Sequence, residues 1–295
     1  MTDLTLQPLH RLHPLQSLHP LKSLQPLPPL ARPVRAAPLW LLLQAAALWP
    51  HGHWLLRRVQ DGSDEPLGLV ALAALAVLWF RLAPVLRCTP QRPALAAAAG
   101  LTLAANGALW FWPPLACTLL AALALAAALW AWLPAATPRA ALAGLLVLAV
   151  PLLASLQYYA GYPLRLLTAQ ASTLLLQAAG YAAERSGATL LVQGQWVIVD
   201  APCSGVQMAW FGYFCACAVA AFGALPDRSF LRRLPAVGAL VLAGNVLRNT
   251  VLVALEARPQ RLAPEIHQAI GLIVLAALIA AVARLMQRGR DARST

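Results

Sequence analysis

The chain has 295 residues, 60% of them hydrophobic and only 11% charged, with a mean hydropathy of +0.67 and a formal net charge of +12. A soluble domain carries about a quarter of its residues as Asp, Glu, Lys and Arg, so this composition excludes an ordinary soluble globular protein. Several apolar runs approach the roughly 20 residues that a helix needs to cross a bilayer. The expected fold is an all-α polytopic membrane protein, with about eight transmembrane helices and a small extracytoplasmic helix/β cap.

Residues 1–36 come first and read as a disordered cytoplasmic tail rich in Pro, Leu and His. Its "LHPLQSLHPLKSLQPLPPL" repeats a short unit with proline too frequent for regular helix, since each proline removes a donor and clashes with the preceding turn. It has no continuous apolar core and so does not read as a signal peptide. His10, His13 and His19 could hold a metal loosely, but as spaced here they read as solvated residues of a biased segment.

The transmembrane domain is expected over 37–286, with spans near 38–55, 66–83, 94–112, 114–133, 140–159, 204–224, 234–255 and 266–285. Prolines mark several boundaries: Pro90 and Pro93, Pro113 and Pro114, Pro134 and Pro138. Trp40, Trp49, Trp54, Trp79, Trp110, Trp112, Trp130 and Trp132 fall mostly near span ends, as an aromatic belt requires. A basic cytoplasmic tail, 287–295, closes the chain.

Charge gives the orientation. With the N-terminus inside, fifteen Lys and Arg residues fall on the inner side and six on the outer, while seven of the ten acids fall outside. That bias predicts an N-in, C-in protein of the cytoplasmic membrane. It also accounts for the basic balance without nucleic acid.

Between the fifth and sixth spans lies the longest extramembrane segment, about 160–203, expected outside. "PLRLLTAQASTLLLQAAG" places Leu164, Leu167, Ala171, Leu174, Leu175 and Ala178 on one helical face and predicts an amphipathic helix lying on the membrane. "TLLVQGQWVIVD" predicts two short strands turning at Gln193-Gly194-Gln195. This cap leads directly into "VDAPCSGVQMAWFGYF", where Cys203 stands at the start of the sixth span.

The five cysteines form no paired framework, no CxxC motif and no metal cluster, and most read as small hydrophobes. Cys203 differs because it is interfacial and begins a helix, whose unpaired N–H groups favour a thiolate. Arg248, in "AGNVLRNTVLVAL", lies within the seventh span, roughly 10 Å from its outer end at 1.5 Å per residue. An intramembrane charge marks a functional site by default; the competing reading is a snorkelling side chain. Asn245 and Asn249 beside it favour a polar pocket. His267, in "PEIHQAIGLIV", starts the eighth span at the same outer level. A Cys, an Arg and a His in one layer can perform thiol acyl transfer: nucleophile, oxyanion donor and acid/base. Spacing alone leaves His51, His53 and Cys215 as competitors.

"APCSG", "GNVLRN" and "HQAIG", at the heads or outer parts of successive spans, resemble the exosortase/archaeosortase family of multi-pass membrane cysteine transpeptidases. The resemblance covers roughly 38–285 and is densest from "GYPLRLLTAQAS" onward; Gly244 before Asn245 is a mild departure. It implies Cys203 as nucleophile, Arg248 as oxyanion or thiolate partner and His267 as acid/base. Ser204, Asn245 and Asn249 are expected to bind substrate. It further implies exported protein substrates bearing a C-terminal motif such as Pro-Glu-Pro, a transmembrane helix and a basic cluster. Cleavage is expected at the outer face of a bacterial inner membrane, through a thioester resolved by water or by an acceptor such as a lipid amine. No cofactor is expected. From other classes, a small-molecule transporter with Arg248 in its pathway, or a structural membrane protein, stays open; no internal repeat supports the transporter.

Overall fold

The computed structural model describes residues 36–60, 62, 66–257 and 263–288. The expected tail, with His10, His13 and His19, lies outside the described residues except for Ala36, and so does the C-terminal tail beyond Arg288. Ten α-helices follow in order among the described residues: α1 Ala36–Ala47, α2 Trp49–Gln60, α3 Gly68–Leu82, α4 Arg92–Ala108, α5 Pro114–Trp132, α6 Arg139–Leu148, α7 Leu153–Ala178, α8 Val206–Phe222, α9 Asp227–Glu256 and α10 Pro264–Gln287. A three-stranded sheet, β1 Ala183–Ser186, β2 Thr189–Val192 and β3 Gln195–Ile198, sits between α7 and α8.

Four helical segments are long and apolar enough to cross a membrane: Gly68–Val85, Pro114–Trp132, Asp227–Glu256 and Glu265–Gln287. The pair α6 and α7 makes a fifth if counted as one span, bent by 92°. Helix α8 is apolar but 17 residues long, or about 25 Å. The outer surface of the bundle is greasy, with Phe80, Leu103, Trp110, Phe111, Leu272 and Ile273 all exposed. That is the pattern of helices whose solvent is lipid.

Three expectations about the spans and their ends change. The span drawn over 140–159 breaks at 149–152, where Pro151 follows Val150, and its second half runs on without interruption into the helix expected to lie on the membrane. The span drawn over 38–55 is two helices meeting at Leu48, just before Pro50. Trp132 is no belt residue: it is 2% exposed, in the core with Leu133, Leu142, Leu145 and Val237.

On α7 the expected apolar face is the outward one. Leu167, Leu174 and Leu175 are exposed, while Thr168, Ala169, Ser172, Thr173 and Leu176 are buried. The small and hydroxyl-bearing face therefore meets protein, with Ser172 Oγ donating to the Val246 carbonyl at 3.4 Å. Small residues let membrane helices approach closely, and Ser and Thr bond across them.

The cap has one strand more than expected. β1 pairs with β2 and β2 with β3, both antiparallel, with Ala183 opposite Val192 and Val192 opposite Gln195. The second hairpin turns through two residues, Gln193 at φ 50° and Gly194 at φ 80°. Two positive φ angles make the tight turn whose twist matches antiparallel strands. The inner face of the sheet, Ala183, Leu190, Val192 and Val197, joins Ala169 and Leu176 of α7 and Val253 of α9 in a small core of its own, and Cys203 belongs to it.

Two side-chain contacts fix the helices at the other end. Asp227 Oδ1 accepts the Ala140 N–H at 2.9 Å, so one carboxylate serves the first turns of both α9 and α6. Arg233 donates to the carbonyls of Met286 at 2.7 Å and Arg288 at 2.6 Å, satisfying the C-terminus of α10. Helices α9 and α10 are thus an antiparallel pair, with Arg233 at one end and the site described next toward the other.

Candidate active site

A short 3-10 turn, Ala201–Ser204, carries Cys203 from the cap to α8. Gly205 follows at φ 85° and begins α8. A Cβ at 205 would stand 2.8 Å from Cγ and Nδ2 of Asn245. Both the left-handed backbone and the contact require glycine there. The turn is therefore pressed against α9.

Asn245 and Asn249 lie one turn apart on α9, on one face. Their Nδ2 groups donate to the same acceptor, the Cys203 carbonyl, at 3.0 and 3.1 Å. Asn245 Nδ2 also donates to Thr168 Oγ1 at 3.0 Å. Both asparagines are buried, and Asn245 Oδ1 has no hydrogen-bond partner among the described residues. Ser204 Oγ donates to Gln157 Oε1 at 2.8 Å and accepts the Val206 N–H at 3.3 Å. The three residues expected to bind substrate thus have these polar groups engaged with the protein. What they hold is the backbone that follows the Cys203 side chain, from its carbonyl to the Val206 N–H.

Arg248 stands between the two asparagines on the same helix. Its guanidinium lies over Gly271 of α10, where a Cβ would come within 3.3 Å of Nε. Arg248 and His267 line one pocket of about 320 Å3, with Gln207, Met208 and Phe211 of α8 and Gln268, Gly271, Leu272 and Leu275 of α10. Gln207 and Met208 are in the first turn of the helix that Cys203 precedes. His267 Nδ1 lies 3.4 Å from Glu256 Oε1, with both side chains about a third exposed.

Cys203 is 7% exposed. Burial pushes its thiol up to about 12, and the nearby Asp200 carboxylate pushes the same way; the Arg248 charge pulls it down but is outweighed. Arg248 thus favours the thiolate, as expected of a neighbouring cation, but burial and Asp200 outweigh it. The net balance of these groups favours the thiol form of Cys203.

The competitors separate as well. His51 is buried at 2% exposure within α2. His53 lies beside Trp49, ring centroids 6.2 Å apart. Cys215 lies in mid-α8 with its thiol 3.7 Å from the Ile279 carbonyl. Cys217 Sγ fills the space over Gly144 of α6. Residue-by-residue reading missed Gln157, Thr168 and Glu256. Glu256 had a signal: an acid ends an apolar span, where the helix dipole disfavours negative charge.

A family model described as transmembrane exosortase (Exosortase_EpsH) matches residues 35–284. No curated protein and no solved structure matches.

Proposed function

The chain belongs to the transmembrane exosortase family, and from that premise we propose that it is a cysteine transpeptidase that cleaves the C-terminal sorting signals of exported proteins. The observation that carries this reading is the grip of Asn245 and Asn249 on the Cys203 carbonyl, with Arg248 between them reaching into the pocket that His267 shares.

In the proposed reaction, Cys203 Sγ attacks the scissile carbonyl of the substrate. His267 takes the thiol proton as the S–C bond forms, which a thiol held near 12 requires. The carbonyl oxygen becomes an oxyanion, and the guanidinium of Arg248 donates to it. His267 returns the proton to the leaving amine, which departs with the transmembrane helix and basic cluster of the signal. The thioester left on Cys203 is resolved by water or by an amine acceptor such as a lipid amine. Asn245, Asn249 and Ser204 act here as positioning residues, holding the backbone that aims Sγ.

The proposal includes eight passages through a bacterial inner membrane, N-in and C-in, with the pocket facing outward. The charge bias supports that orientation, and the placement of cap, Cys203 and His267 at one end of α8 and α10 agrees with it. The test is processing of a membrane-anchored substrate with a C-terminal signal, co-expressed with each single cysteine variant. Cys203→Ala should leave the substrate at full length, while Cys88→Ala, Cys117→Ala, Cys215→Ala and Cys217→Ala should process it. Normal processing by Cys203→Ala removes the nucleophile from the proposal.

A further inference from the structure

Glu256 closes α9 and His267 lies in the first turns of α10, yet the two side chains meet. A carboxylate in the last turn of a helix faces the negative end of the macrodipole, so helix formation does not account for its place. The contact is specific about atoms: Glu256 Oε1 is 3.4 Å from Nδ1 of His267. That side of the ring is thereby occupied by an anion, and Nε2 is the nitrogen left for proton transfer. Among the described residues, the other side chains lining the shared pocket are neutral apart from Arg248. Glu256 is therefore the counter-charge at the ring.

We propose that Glu256 is the positioning residue of His267, holding the ring by Nδ1 so that Nε2 exchanges protons with the reacting groups. The inference rests on the transpeptidase reading above. When Nε2 takes the Cys203 proton, the ring becomes an imidazolium with both nitrogens protonated. The carboxylate beside Nδ1 stabilises that cation, and it keeps its own charge throughout. When Nε2 gives the proton to the leaving amine, the ring returns to neutral with Nδ1–H still toward Glu256. No further reactant is needed for either transfer.

The charge of Glu256 also reaches Cys203, where it opposes thiolate formation, as does Asp200. The two effects have opposite signs in a variant. If Glu256 acted only through its field at the thiol, its neutralisation would speed the reaction. If it positions His267, neutralisation slows it.

The experiment measures single-turnover processing of the membrane-anchored substrate at matched amounts of inserted protein. It compares wild type, Glu256→Gln, Glu256→Asp, His267→Gln and the double variant, with Cys203→Ala as the control. Glu256→Gln should lose about tenfold to a hundredfold in the maximal single-turnover rate at little change in the substrate concentration that half-saturates it, less than the about 10²–10⁴-fold of a positioned acid/base itself, because Glu256 acts only through His267. Glu256→Asp keeps the charge and should recover part of the loss. In the His267→Gln background, Glu256→Gln should cost nothing more, because the group it acts through is gone. A wild-type or faster rate for Glu256→Gln overturns the proposal. So does an equal loss with His267 present or absent, which would mark a structural role. A processing-competent Cys203→Ala would instead overturn the transpeptidase reading on which this inference stands.

Discussion

As the proposed nucleophile, Cys203 has to be both sheltered and reactive, and the groups around it pull in opposite directions. Burial and Asp200 hold it as a thiol, while Arg248 favours the thiolate. Each pKa unit is a tenfold change in thiolate at neutral pH, and the thiolate is the species that alkylates. Labelling of Cys203 by a small thiol reagent should therefore keep rising with pH through 8 and 9 rather than reach a plateau. Asp200→Asn removes an anion that raises the pKa, so labelling at pH 8 should be faster. Arg248→Gln removes the cation that lowers it, so labelling should be slower. Mass spectrometry of the labelled peptide checks both, and the opposite order would mean that other charges govern this thiol. Arg248 is also the proposed oxyanion donor. Arg248→Lys keeps the charge but loses the planar fork of donors, and turnover should fall by about 10²–10³. Recovery of the wild-type rate by lysine would reduce Arg248 to an electrostatic role.

At the scale of elements, the proposed site draws on three pieces: the turn Ala201–Ser204, the asparagine face of α9 packed against it, and the first turns of α10, whose His267 shares a pocket with Arg248. The asparagine clamp predicts a separation of folding from activity. A single neutral hydrogen bond contributes only about 1 kcal/mol net, and the Cys203 carbonyl has two donors. Asn249→Ala should therefore insert and accumulate normally yet process substrate more slowly. Equal rates for Asn249→Ala and wild type would show that the clamp does not aim Sγ. Cys203, Arg248 and His267 stand out as candidates in the sequence because polar residues are rare in an apolar background and each is expected at the outer part of a span. Other features could not. Pro151 coincides with a 92° bend, whereas Pro163 and Pro235 lie inside α7 and α9, which run on through them. Residue type alone does not say which outcome a proline in an apolar run will have. Strand β1, "AERS", carries no β-branched or aromatic residue and forms by pairing with β2. Asn245 and Asn249 were visible as polar neighbours of Arg248, but which atom they bind depends on the turn packed against them.

At the scale of the whole molecule, the account requires the cap and the α8–α9 turn to lie on opposite sides of the membrane. Ser186 on the cap and Arg228 at the start of α9 are both exposed. In a Cys88→Ser background, Ser186→Cys should be labelled by a membrane-impermeant maleimide in spheroplasts, and Arg228→Cys only after lysis. The reverse pattern would turn the pocket toward the cytoplasm and away from exported substrates. The central claim, that acyl transfer runs through Cys203, is tested most directly by the chemistry of the new C-terminus. Processing carried out in neutral hydroxylamine should yield a C-terminal hydroxamate, identified by mass, because a thioester passes its acyl group to an added amine nucleophile; Cys203→Ala should yield no cleaved product. A cleaved product that ends only in a free carboxylate, formed equally well by Cys203→Ala, would contradict it.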